Sequence, residues 1–116
     1  MTSEYFNKIV DARCTKIHNV LVEKAKEYAT EDDRLHNFDR CANITGQSRE
    51  RCLDGFMLKH YTSYRDILDN IDKGIIPSYE LLNEKVTDLI NYFILFEACV
   101  IEKINNAKEN RKEEGK

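Results

Sequence analysis

Residues 77–104 read PSYELLNEKVTDLINYFILFEACVIEKI, and this stretch decides the fold. Its apolar residues Leu81, Leu82, Val86, Leu89, Ile90, Phe93, Ile94, Val100, Ile101 and Ile104 recur at three and four, the period of an α-helix. Pro77 and Ser78 suit the start of that helix: proline lacks an N–H that the first turn does not need, and a serine hydroxyl can accept from an orphan amide. As the most hydrophobic segment of the chain, it is expected at the centre of the domain.

Upstream, Ser48 can cap another helix whose apolar positions Cys52, Leu53, Phe56, Met57, Tyr64, Ile67, Leu68 and Ile71 keep the same period; it should stop at Gly74, a residue suited to a left-handed helix end. The first segment carries Phe6, Ile9, Val10, Ile17, Val20, Leu21, Ala25 and Tyr28, which predicts one amphipathic helix from about Ser3 to Ala29. Between the two, Thr30-Glu31-Asp32-Asp33 breaks the pattern and offers capping oxygens to a short helix through Leu35, Phe38 and Cys41, with a turn at Asn43 to Gly46. With one proline, four glycines and no period-two β-branched run, the fold class is all-α: a helical bundle of three longer helices plus one short helix.

The 116 residues fit one domain, expected over 1–105. From Asn106 the chain loses its apolar period, so residues 106–116 are expected to fray as a charged, flexible tail. A last helix that is apolar on several sides finds too little partner surface in so short a chain, and a homo-oligomer is expected.

The 18 basic and 21 acidic residues are interspersed, with a net charge of -3, so no basic stripe exists to follow duplex nucleic acid. The start Met1-Thr2-Ser3-Glu4 has neither the basic nor the apolar region of a secretory leader, and no apolar run reaches the roughly 20 residues that span a bilayer. A cytoplasmic protein with no membrane partner is expected. Cys14, Cys41, Cys52 and Cys99 stand far apart beside apolar sequence, and His18, His36 and His60 lack zinc-site spacing, so the thiols are read as buried and free.

Polar residues recur at helical spacing on every segment. Glu84, Asp88 and Asn91 fall four and three apart, which places two carboxylates and an amide on one face. Glu23 and Glu27 form a similar pair, and four carboxylates on two helices are the oxygen ligands a Mg²⁺ ion requires. Lys24, Lys26 and Lys85 adjoin these acids, so surface ion pairs account for them equally well. Lys59, Ser63 and Asp66 share a face of the third helix next to His60, and Arg34, Asn37 and Phe38 on the short helix supply a cation, an amide and a ring, the groups that meet phosphate, base edge and base plane. Phosphate-loop, dinucleotide and serine-hydrolase motifs are all missing from the sequence.

Through Glu23-Lys24, Glu27-Tyr28, Asp33-Arg34-Leu35, Asn37-Phe38, Lys59-His60, Ser63, Asp66, Glu84-Lys85, Asp88 and Asn91-Tyr92, the chain from Glu23 to Glu102 resembles a group of small phage and prophage proteins. That group is distantly similar to the MazG-like all-α nucleoside triphosphate pyrophosphohydrolases, helical oligomers in which E-x-x-E and E-x-x-D motifs hold Mg²⁺. Here Glu23/Glu27 and Glu84/Asp88 are each spaced by four, and Lys85 stands in place of the second motif's glutamate. A lysine ammonium there competes with the metal, so binding without hydrolysis is the expectation. The resemblance in size and helical make-up to phage sponges implies a homo-oligomer that sequesters a cyclic nucleotide or a cyclic ADP-ribose-like immune signal, with no cofactor required. Its ligand-binding residues would be Arg34, Asn37, Phe38, Lys59, His60, Ser63, Lys85, Asp88, Asn91 and Tyr92. The alternative is a Mg²⁺-dependent pyrophosphohydrolase with Glu23, Glu27, Glu84 and Asp88 as metal ligands; a second is a helical module that binds another protein through its apolar faces.

Overall fold

A computed structural model describes residues 1–24 and 33–115, and all its regular structure is helical. The elements are α1 (Ser3–His18), a π-helical turn (Asn19–Lys24), α2 (His36–Thr45), α3 (Arg49–Asp72) and α4 (Tyr79–Glu114). Three of the helices start on a hydroxyl cap. Thr2 Oγ1 accepts from the Tyr5 amide at 3.1 Å, Ser48 Oγ from Arg51 at 3.2 Å and Ser78 Oγ from Leu81 at 3.1 Å. Each bond satisfies one of the donors that a first turn leaves unpaired. The α3 helix ends in a Schellman turn: the Gly74 amide bonds to the Ile71 carbonyl at 2.9 Å and the Ile75 amide to the Asn70 carbonyl at 2.8 Å. Gly74 takes φ 83° there, a conformation that costs glycine nothing.

Three boundaries differ from expectation. The short helix continues to Thr45, through Asn43 where a turn was expected, and is closed by Gly46 alone. The first helix keeps α geometry only to His18 before the π-helical turn; residues 25–29 of the expected helix lie outside the described residues. The turn contains Asn19, Val20 and Val22, all of low helix propensity, so the i→i−4 ladder relaxes readily at that point. At the other end, the segment expected to fray is helical to Glu114. Ala107, Lys108, Glu109, Arg111, Lys112 and Glu113 are good helix formers, and Arg111 and Lys112 in the last turn oppose the negative end of the helix dipole. The missing apolar period showed that this segment does not pack, and every residue from 101 to 115 is indeed exposed.

The core is small and lies where α2, α3 and α4 meet. Leu35, Phe38, Leu53 and Cys99 form its centre, with Met57, Tyr92, Leu95 and Ala98 packed around it. The most hydrophobic helix, α4, is central as expected, because α1 and α3 both pack on it. An ion-pair clasp closes the end of α3 near this core. Arg49 Nη1 reaches Asp39 at 3.3 Å and Glu102 at 2.7 Å, its Nη2 donates to the Cys99 carbonyl at 2.9 Å, and Lys103 bonds Glu50 at 2.9 Å. Burial alone would lower the guanidinium pKa, but the Glu102 and Asp39 carboxylates help hold it above its usual value.

All four cysteines are free; Cys52 and Cys99 are buried, Cys41 is partly buried and Cys14 is exposed. The Cys14 position corrects the expectation that all four thiols are interior. No helix among the described residues is long and apolar enough to cross a membrane.

Candidate functional site

The α3–α4 contact brings Asp88 and Tyr92 against His60, with Lys85 and Asn91 at neighbouring positions of α4. His60 projects from α3, and α4 supplies Lys85, Asp88, Asn91 and Tyr92. Positions 85, 88 and 92 are separated by three and four, so they stack along one face of α4 towards α3. His60 Nδ1 lies 3.2 Å from Asp88 Oδ2. Nδ1 is buried and off the line a hydrogen bond needs, so the contact is electrostatic and strengthens when the imidazole is protonated. The His60 ring packs on Tyr92 with centroids 5.1 Å apart and a 33° tilt. Burial, and then the charge of Asp88, push the Tyr92 phenol above its ordinary pKa, so it remains a neutral donor at physiological pH.

Asn91 is 8% exposed and its Oδ1 is buried with no hydrogen-bond partner. An amide acceptor removed from water in this way costs about 1–3 kcal/mol, so it is a standing request for a donor. Lys85 is drawn in along the surface, its side chain only 18% exposed, with Nζ 3.7 Å from Glu84 Oε1. Glu84 itself is largely in solvent.

The other expected site residues do not join this group. Lys59 is exposed on α3, about 100° around the helix from His60, and its carbonyl accepts the Ser63 hydroxyl at 3.2 Å. That bond occupies the Ser63 proton within its own helix. Arg34 donates from Nη2 to the Leu21 carbonyl at 2.5 Å, tying the α2 entrance to the π-helical turn. Asn37 is exposed on α2. Phe38, expected to offer a stacking face, belongs to the core, where it meets the Phe56 ring edge-on with centroids 6.0 Å apart. This corrects its assignment as a base platform: an apolar ring at that helix position was needed to close α2 onto α3. Phe38 packs against the level of Cys99, roughly 16 Å along the α4 axis from Asp88.

The four-carboxylate cage is not assembled by the described residues. No three His, Cys, Asp or Glu side chains among them are placed to share a metal ion. Glu23 is exposed on the π-helical turn, Glu84 faces Lys85 and Asp88 faces His60; Glu27 lies outside the described residues. A cation set against Glu84 and an imidazole against Asp88 do not fit a Mg²⁺ site, which needs oxygen donors alone.

A second polar contact was absent from the sequence reading. Arg13 of α1 hydrogen-bonds the Thr87 hydroxyl and reaches the Asn83 carbonyl at 3.4 Å, while Thr87 Oγ1 donates to the same carbonyl at 2.6 Å. Its signal was present: Arg13 stands between Ile9 and Ile17 at spacings of four, a cation in the middle of an apolar stripe. No protein-family model, curated protein or solved structure matches the chain.

Proposed function

We propose that the protein binds and sequesters a small nucleotide, as a homo-oligomer, without cleaving it. The observation that carries this reading is the unpartnered Asn91 Oδ1 on the inner side of α4, flanking the Lys85–Asp88–Tyr92 face that meets His60. Three chemistries a nucleotide calls for are then carried by adjoining residues of α4 and α3. The Lys85 ammonium is the cation for a phosphate. The His60–Tyr92 pair is an aromatic step on which a base extends the stack. Asn91 Oδ1 accepts from an exocyclic amine or a ribose hydroxyl, and Asp88 fixes the imidazole orientation. A cyclic nucleotide or cyclic ADP-ribose-like signal is the ligand class, in keeping with the likeness to phage proteins that retain such signals. Sequestration is favoured over pyrophosphohydrolysis because two of the four acids that would ligate Mg²⁺, Glu84 and Asp88, already face Lys85 and His60.

Calorimetric titration with cyclic ADP-ribose and with cyclic di- and trinucleotides tests the reading. Binding should occur without Mg²⁺, and ligand released by heating should be intact. A charge-assisted bond to a partly buried phosphate is worth on the order of 1.5–3 kcal/mol, so Lys85→Ala should weaken binding tenfold or more, whereas Lys59→Ala, on the exposed side of α3, should change it much less. Failure of every nucleotide to bind, or recovery of a cleaved product, refutes it.

A further inference from the structure

The inward face of α4 carries the buried residues Thr87, Asn91 and Cys99. On the opposite side Leu82, Val86, Leu89, Phe93, Phe96 and Val100 follow one another at spacings of four, three, four, three and four, the a/d repeat of a coiled-coil seam. The stripe runs for roughly 27 Å along the helix at 1.5 Å per residue. The neighbours within the chain cover it only in part: Val86, Leu89 and Val100 are half-buried, while Leu82, Phe93 and Phe96 are exposed. The α1 helix reaches α4 through Arg13 at Asn83 and Thr87, α3 reaches it through His60 at Asp88 and Tyr92, and the stripe lies between them with Phe93 at 57% exposure. Where it borders α3, Phe93 and Phe96 join Leu53 and Met57 around an open groove of about 370 Å³ that Glu50, Arg51 and Asp54 also line.

The molecule exposes 9259 Å² and has a radius of gyration of 18.1 Å. A compact monomer of this mass exposes about 6,600 Å² and one of this length has a radius near 13 Å. The surplus is thus roughly 2,700 Å² per chain, partly from the projecting end of α4; an obligate homodimer removes about 1,000–2,500 Å² per copy. We infer that the Leu82–Val100 stripe of α4 docks on the same stripe of a second copy of this chain, the Phe93 and Phe96 rings of each copy filling the other's groove. This rests on the multi-copy part of the reading above and supplies its surface. A second copy suits the seam better than a foreign helix for two reasons. The stripe itself carries no charge that an unlike partner would have to match, and Val86 and Val100 at a with Leu82 and Leu89 at d, on either side of the central Phe93 and Phe96, is the pattern that favours two strands. The same patch on both copies also closes with two-fold symmetry and leaves no further edge.

Sedimentation or light scattering of the full chain at micromolar concentration, with and without cyclic ADP-ribose, tests this. The unaltered protein should weigh twice its 13.6 kDa chain mass. Phe93→Lys should run as a monomer with unchanged helical circular dichroism, while Phe6→Lys on the exposed face of α1 should remain dimeric. Should the lysine variant unfold, the milder Phe96→Ala should still raise the dimer dissociation constant on the order of a hundredfold, a central aromatic being lost from both copies. A native monomer, or a dimer that survives both α4 substitutions, overturns the seam, as does dissociation by Phe6→Lys alone. The two readings fail separately: a dimer that binds no nucleotide leaves the seam standing, and a monomer that binds one leaves the ligand site standing.

Discussion

Replacing Asn91 with leucine should make the protein more stable and less functional. The amide is 8% exposed and its Oδ1 has no partner, so the folded state bears about 1–3 kcal/mol of uncompensated desolvation there. Leucine keeps the branching at Cγ with larger end groups, removes the stranded acceptor and has the higher helix propensity by a few tenths of a kcal/mol. Asn91→Leu should therefore raise the unfolding free energy by about 1–3 kcal/mol. For a chain slightly above 100 residues, each kcal/mol moves Tm by roughly 4 °C. Thermal and urea unfolding must be compared at one protein concentration, because association of copies adds to apparent stability by mass action. The same variant should lose most of its nucleotide affinity, since the acceptor that reads the ligand is gone. If both Asn91→Leu and the smaller Asn91→Val, which overpacks less, lower stability by more than about 1 kcal/mol, the reasoning is refuted, because the amide is then paired in the folded chain.

Arg49→Met should cost about 2–4 kcal/mol in urea unfolding, since it leaves the clasp carboxylates facing one another; Asp39 and Glu102, 43% and 55% exposed, are partly screened by water, which keeps the loss below that of a fully buried pair, and an unchanged midpoint would show that the clasp contributes nothing. Stability should fall on acidification through Glu50. Burial alone would raise that carboxyl, but the hydrogen bond from Lys103 and the charges of Lys103 and Arg49 outweigh it and hold its pKa below 4.5, so its contribution is complete above pH 4.5 and is lost as pH drops through the lower folded value. A urea midpoint that is flat or rising between about pH 5 and pH 3 would contradict this assignment. Of the four thiols, Cys14 should react with a maleimide first, because Cys52 and Cys99 are enclosed and burial raises the Cys99 thiol above its ordinary pKa; one common rate for all four in the native protein would contradict the fold.

The helices were largely readable from local chemistry. Ser48 and Ser78 cap where a hydroxyl before an apolar run was expected to cap, and Gly74 stops α3 through its positive φ. The π-helical turn and the helical tail were missed because apolar periodicity reports packing, whereas these two segments are governed by backbone propensity. The site was legible on α4 and illegible across to α3. Spacing aligned Glu84, Asp88 and Asn91, whereas the residues of α4 that meet His60 are Asp88 and Tyr92; which face of α4 meets α3, and whether His60 or Lys59 meets Asp88, depends on how the two helices are rotated and shifted against each other, which no pattern within one helix encodes. The Arg49 clasp was illegible for the same reason, as its partners come from α2 and α4, 10 and 53 positions along the chain from Arg49.

The attachment of α1 has a bearing on the order of assembly. None of its residues is buried, and its polar hold on α4 is made by one side chain, Arg13, some 70 positions away in sequence from Asn83. The α2, α3 and α4 helices follow one another closely in the chain and share the apolar centre, so their contacts close with short loops and little entropy. They should collapse into a three-helix nucleus on which α1 docks late. In the native protein the amides of Ser3–His18 should then exchange with solvent through a separate opening far less costly than global unfolding, so the N-terminal helix can swing away while the remainder stays folded.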